Sequence, residues 1–248
     1  MQLEVRGLKS GYGKVQILHG IDFTVHPGQI TTVLGANGAG KSTLMGLLTR
    51  RIAPTSGSIE LDIGRGPKKL NPLKSHEVAR IGLIKTNQRI QGFDSLTIRD
   101  SLRLAATPPK EEGFASLFSS DRDPEEIDAR IDRYLDAFPF ADREGYARSG
   151  GEKKLVDILR CLIADPKLLL MDEPTAGLPD DITHRVMGMV RDKVAAGEMR
   201  VVVVEHDLPM IWEYCDYVHF LSEGSILFEG KPDEVKSNRV VAEKYMGV

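Results

Sequence analysis

The chain has little cysteine: two residues in 248, Cys161 and Cys215, far apart and without C-x-x-C spacing. That sparseness excludes a disulfide framework and a zinc ribbon, and it suits two ordinary buried thiols in a reducing compartment. Long apolar runs are also missing. No window approaches the roughly 18 apolar residues that a membrane-spanning helix needs, and Met1-Gln2-Leu3-Glu4-Val5-Arg6 has no apolar signal core. The expectation is a soluble, cytoplasmic chain whose membrane role, if it has one, runs through a partner. Charge of one sign does not dominate either: 33 basic and 36 acidic residues leave a net charge of -3. This gives no bulk electrostatic case for nucleic acid.

What is present is an α/β pattern. Alternating or apolar runs at Leu3–Val5, Ile21–Val25, Ile30–Leu34, Ser58–Leu61, Leu168–Met171, Val201–Val204, Tyr217–Leu221 and Ser225–Phe228 read as strands, with helical patterns between several of them. The mixture predicts a largely parallel sheet with an antiparallel edge. Asp62–Pro72, Thr107–Pro124 and Gly230–Asn238 read as connections, the last leading into a short terminal helix. Strand signals vanish between about Gln88 and Asp165. There Ile127, Ile131, Tyr134, Leu135 and Phe138 fall at helical spacing, and Leu155–Ile163 carries another apolar stripe. A helical lobe inserted into a nucleotide-binding core is the expected organisation. There is no internal repeat.

Gly35-Ala36-Asn37-Gly38-Ala39-Gly40-Lys41-Ser42 reads G-x-x-x-x-G-K-S directly after the apolar run Ile30–Leu34, and Thr43-Leu44-Met45 continues with helix formers. A strand, a glycine-rich loop and a helix in that order form a phosphate cradle. Backbone N–H groups around Gly35, Asn37, Gly38 and Gly40 can converge on phosphates because no bulky side chains intervene, and the helix dipole at Thr43 favours the anion. Lys41 supplies a point charge near the β- and γ-phosphates, and the Ser42 hydroxyl can ligate Mg²⁺. The sequence therefore predicts binding of a nucleoside triphosphate.

Lys167-Leu168-Leu169-Leu170-Met171-Asp172-Glu173-Pro174 is a buried strand ending in two carboxylates. Asp172 at the tip can hold Mg²⁺, directly or through water, and Glu173 can orient or deprotonate water beyond the γ-phosphate. Val201-Val202-Val203-Val204-Glu205-His206-Asp207 is a second such strand. A lone histidine at a strand end is by itself more often structural than catalytic. Ser149-Gly150-Gly151-Glu152 has capping-box spacing ahead of Leu155-Val156-Asp157-Ile158-Leu159, which makes it either a plain helix start or a helix terminus left open to an anion.

Ser149-Gly150-Gly151-Glu152-Lys153-Lys154 resembles the signature motif of ABC-type ATPases, and the phosphate loop, signature, acidic strand and histidine occur in family order over nearly the whole chain. The resemblance implies a P-loop NTPase (RecA-like) core with a mixed sheet, about 1–87 and 166–230, an inserted α-helical subdomain, about 88–165, and a tail, 231–248. It implies that Tyr12 stacks on adenine and that Gln88 touches Mg²⁺ or attacking water and senses the transporter. Glu173 would be the general base, with His206 holding it and the γ-phosphate in place. Ser149, Gly150 and Gly151 would cap the ATP of a second ATP-binding subunit, identical or homologous. Two positions depart from the family pattern: Arg148 stands where leucine usually precedes the signature, and Pro179 where the turn after the acidic strand usually ends in aspartate.

Leu8-Lys9-Ser10-Gly11-Tyr12-Gly13, Ile84-Lys85-Thr86-Asn87-Gln88, Ala176-Gly177-Leu178-Pro179 and Gly230-Lys231-Pro232-Asp233-Glu234-Val235 together look like the ATP-binding subunits of branched-chain amino acid importers and of related urea and amide importers. That likeness implies ATP hydrolysis at the cytoplasmic face of the inner membrane, two membrane-spanning permease subunits and, indirectly, a substrate-binding protein. The ATPases of lipopolysaccharide export are an alternative from the same group. A soluble ABC ATPase acting on DNA or ribosomes is another, though one phosphate loop disfavours the tandem type. The 108 positions from Lys41 to Ser149 are too few for a long coiled coil.

Overall fold

The computed structural model describes residues 2–13, 15–64, 66–87, 96–107, 124–140, 142 and 144–246. Its centre is a six-stranded sheet in the order β10 (Ser225–Gly230), β9 (Tyr217–Ser222), β3 (Ile30–Leu34), β8 (Arg200–Glu205), β7 (Leu168–Asp172), β6 (Leu83–Lys85). Strands β9 to β6 run parallel and β10 closes one edge antiparallel, as the apolar runs predicted, but the predicted strands at Leu3–Val5, Ile21–Val25 and Ser58–Leu61 belong to a separate sheet and not to this one. Every residue of β3, β7 and β8 is buried. Strands covered on both faces have no solvent side to alternate with, so they read as near-continuous apolar runs, interrupted by the buried Thr31 and Thr32 and by polar residues only at strand ends.

Period-2 geometry sends alternate residues of those strands into two different interiors. Leu170, Val202 and Val204 pack with one cluster, which holds α1 (Lys41–Leu48) and the inner face of a second sheet. That sheet is antiparallel, in the order β2 (Val15–Val25), β1 (Gln2–Tyr12), β4 (Ser56–Asp62), β5 (Pro67–Lys69). Leu169, Met171, Val201 and Val203 face the other cluster. Its helices are α3 (Ile98–Ala106), α4 (Pro124–Asp136), α5 (Gly150–Ile163), α6 (Asp180–Ala195) and α7 (Leu208–Tyr214), whereas α2 (Ser75–Arg80) buries Val78 in the first cluster. Both cysteines are buried and free. Burial pushes the Cys215 thiol up to about 12 and Cys161 higher still, so neither is a nucleophile.

Some connections hold structure that the sequence pattern does not announce. Asp62–Pro72 contains β5, which is exposed throughout and pairs with the end of β4; a three-residue strand with a proline at its start carries no periodic apolar signal. Gly230–Asn238 contains α8 (Pro232–Lys236), anchored by the buried Val235. After it come α9 (Arg239–Val241) and a π-helical turn at Ala242–Met246. Between β6 and β7 the described residues form α3, α4 and α5 and no strand. Most of Thr107–Pro124 lies outside the described residues.

The predicted stripe of α4 faces inward as read: Ile127, Ile131, Tyr134, Leu135 and, just after the helix, Phe138 are buried in the cluster shared with α5 and the sheet. Phe138 is among the largest fully buried side chains. Truncating it leaves a cavity between α4 and its neighbours, so Phe138→Ala is expected to lower unfolding stability by about 3 to 5 kcal/mol. Chemical denaturation checks this; a loss below about 1 kcal/mol would contradict the packing described.

Candidate nucleotide site

The sheet order sets the carboxyl ends of β3, β8 and β7 side by side, where ligands bind in open α/β sheets. From β3 the chain enters Gly35–Gly40. Gly35 is required by close approach, since a Cβ there would lie 2.3 Å from the Leu221 carbonyl oxygen, and Gly40 by its left-handed φ of 109°. Helix α1 then starts at Lys41 with no side-chain cap and no acidic residue in its first turn. An uncapped helix start beside a glycine loop suits an anion.

Lys41 is 8% exposed and its Nζ donates to the carbonyls of Gly35, at 2.5 Å, and Ala36, at 3.0 Å. Burial lowers its pKa from the ordinary lysine value, while the charges of Glu173, Asp172 and Glu205 oppose the shift. A cleft of about 300 Å³ is lined by Asn37, Gly38, Gly40, Lys41, Ser42 and Thr43 from this side and by Asp172 and Glu173 from the end of β7. The phosphate-loop residues and the two acids read from the sequence therefore meet in one place.

Asp172 is 3% exposed. Its Oδ2 accepts from Lys85 Nζ at 2.8 Å, and its backbone N–H donates to Thr86 Oγ1 at 3.1 Å. Glu173 has a left-handed φ of 48°, rare for a residue with a side chain, and its N–H donates to the Val204 carbonyl at 2.8 Å. His206, largely exposed at the end of β8, brings Nδ1 to 3.5 Å from Glu173 Oε1 and 3.6 Å from Glu205 Oε2.

Glu205 is a site residue that sequence reasoning passed over. It is fully buried, and it accepts from the Thr175 hydroxyl, from the Thr175 N–H at 3.3 Å and from the His206 N–H at 2.9 Å. The available signal was a carboxylate ending a run of valines. Lys85 was passed over as well, because β6 is only three residues long. Nor was Tyr245 read as part of the site: its hydroxyl donates to the His206 carbonyl at 3.2 Å, and its ring packs edge-on against Phe220.

Ser149 caps α5 as its spacing predicted. Glu152 N–H donates to Ser149 Oγ at 3.0 Å, and the Glu152 carboxylate accepts from the N–H groups of Ser149, at 3.2 Å, and Arg148, at 2.9 Å. Ser149 and Gly150 are exposed and a Cβ on Gly150 would meet nothing within 4 Å, whereas one on Gly151 would lie 3.1 Å from the Gly177 carbonyl. These three residues are not among those lining the cleft. Arg148 points its guanidinium toward Asp142 at 3.5 Å and is mostly exposed. Pro179 is the N-cap of α6, ahead of Asp180 and Asp181 in the first turn. Tyr12 ends β1, with its side chain outside what is described, and Gln88 lies outside the described residues.

The ABC transporter family model matches residues 18–176. The high-affinity branched-chain amino acid transport ATP-binding protein BraF of Pseudomonas aeruginosa is 29% identical over 252 residues, covering 99% of this chain and 97% of its own. A probable branched-chain amino acid transport ATP-binding protein LivG of Methanocaldococcus jannaschii is 29% identical over 254 residues with the same coverage. LivG of Escherichia coli K12 is 25% identical over 252 residues, again with 99% and 97% covered. Among solved structures, a nucleotide-free ATP-binding cassette from an ABC transporter superposes with a TM-score of 0.82 at 28% identity over all of both chains. A cassette in its ADP conformation gives 0.81 at 28%, likewise over both whole chains. Sequence, fold and the geometry of the cleft agree, and the chain belongs to the ABC transporter family as one of its ATP-hydrolysing cassettes.

Proposed function

We propose that this cassette powers a branched-chain amino acid importer, or an importer of related small solutes, from the cytoplasmic face of the membrane. The observation that carries the chemistry is the single cleft in which Lys41, Ser42, Asp172 and Glu173 meet, with His206 beside Glu173. The relatives named for branched-chain amino acid transport favour import over lipopolysaccharide export or a soluble ATPase. Among the described residues no helix is long and apolar enough to cross a membrane, which is consistent with attachment through permease subunits. We read 1–87 and 166–230 as the core, 88–165 as the helical subdomain and 231–248 as the tail.

In this reading the loop N–H groups and Lys41 hold the β- and γ-phosphates of ATP. Glu173 accepts the proton of the water that attacks the γ-phosphoryl group, and ADP leaves with the bridging oxygen. His206 keeps Glu173 in line and contacts the γ-phosphate. Ser42 and Asp172 would hold Mg²⁺. Both line the cleft and both offer hard oxygen donors, which is the chemistry that cation takes. When bound, Mg²⁺ neutralises charge on the β- and γ-phosphates. Gln88 would act at the same phosphate, and Tyr12 on the base.

Ser149 and Gly150 are exposed and Gly151 is half-buried, and none of the three lines the chain's own cleft. That position supports a clasp in which they cap the ATP of a second cassette, so that ATP favours a closed pair and ADP does so much less. Motion then passes through the Gln88 segment to two permease subunits, which draw cargo from a substrate-binding protein.

Two measurements test this. Lys41→Ala removes a charged phosphate donor, and a fluorescent ATP analogue should bind about 10- to 100-fold more weakly; unchanged affinity would place the phosphates elsewhere. Glu173→Gln should cut kcat by about 10²- to 10⁴-fold with ATP still bound, and light scattering should register a monomer-to-dimer shift on adding Mg-ATP. Hydrolysis at the parent rate would remove Glu173 from the general-base role.

A further inference from the structure

Helix α5 is apolar toward the cluster it packs in, except along one line. Lys154, Asp157 and Cys161 follow one another at spacings of three and four, so they share a face, and each meets the carboxyl end of β6 or β7. Lys154 Nζ donates to the Asp172 carbonyl at 3.4 Å, and Cys161 Sγ approaches the Lys85 carbonyl at 3.9 Å. Between them Asp157, 7% exposed, accepts from both donors of one residue: the Asn87 N–H reaches Oδ2 at 2.8 Å and Asn87 Nδ2 reaches Oδ1 at 3.0 Å.

A buried carboxylate is costly unless its oxygens are satisfied, and an apolar side chain would fill the same space without that cost. A two-point polar latch supplies what apolar packing does not, a fixed register between two elements. Those elements matter. Asn87 is the residue before Gln88 in the chain, while Ser149, Gly150 and Gly151 begin the helix on which Asp157 sits, eight residues or about 12 Å along its axis. Lys85 and Thr86, next to Asn87, hold Asp172 itself.

We infer that Asp157 is a positioning residue for the nucleotide cycle: by latching Asn87 it ties the orientation of the signature turn to the segment that enters Gln88. This rests on the paired-cassette reading above. A shift of Asn87 then turns α5 as a rigid lever and re-aims Ser149 and Gly151.

Asp157→Asn in the Glu173→Gln parent tests it, because the new amide sets a donor against Asn87. ATP-driven dimer formation should weaken by about tenfold, the size of coupling that one hydrogen-bonded link carries between sites. Affinity of the chain for a fluorescent ATP analogue should stay within about twofold. In the Glu173 enzyme, kcat should fall with KM little changed. The exchange Asn87→Asp with Asp157→Asn, which restores a donor opposite a carboxylate, should recover most of the loss. Asn87→Ala, which deletes only the Nδ2 bond, should give a smaller loss of about threefold and serves if Asp157→Asn does not fold. Unaltered pairing in Asp157→Asn would overturn the latch, as would nucleotide affinity, pairing and melting temperature all falling together, or losses that simply add in the exchanged pair. Failure of the Glu173→Gln parent itself to pair would instead overturn the paired-cassette reading, and the latch with it.

Discussion

Three strands with no polar face must end together, and the rest of the site follows from that. Strands β3, β8 and β7 are buried on both sides and joined by continuous parallel ladders. Their register is therefore fixed, because a one-residue slip would send every side chain to the wrong interior. The ladders pair Leu34 with Glu205 and Asp172 with Val204. Asp172 is the last residue of β7, and the phosphate loop, Glu173 and His206 are simply the next residues along each strand. Among the described residues, the one left-handed non-glycine residue at these strand ends is Glu173, while Gly40 takes its positive φ without a Cβ to oppose it.

The buried charges at these strand ends are the price of that arrangement. Lys41, Lys154, Asp157, Asp172 and Glu205 are all withdrawn from water. Each has a partner within the protein: backbone carbonyls for the lysines, Asn87 for Asp157, Lys85 for Asp172, and Thr175 with the His206 N–H for Glu205. Paired in this way, such groups fix orientation more than they add stability. A phosphoryl-transfer site needs the same thing, since its chemistry is largely a matter of position and field.

Much of this was legible in the residues. Long apolar strands and the period-3.6 stripes of α4 and α5 announce themselves because burial dictates their composition, and the G-x-x-x-x-G-K-S loop because phosphate approach dictates its glycines. The capping box at Ser149 was equally plain. Short elements escaped: β5, β6 and α8 depend on neighbours rather than on any pattern of their own. So did Glu205, Lys85 and Asp157, whose importance comes from pairing with residues up to 87 positions away. Sequence separation hides such partners, and a buried acid inside an apolar run was the one hint available.

The central sheet also divides the interior. Leu170, Val202 and Val204 belong to one cluster and Leu169, Met171, Val201 and Val203 to the other, so the two compartments touch mainly through the backbone between them. Side chains on the helical side can drift, repack or loosen while those around the phosphate loop keep their jigsaw, because a methyl lost from one compartment opens no hole in the other. In lineages of such chains the two halves of the interior are free to change at different tempos.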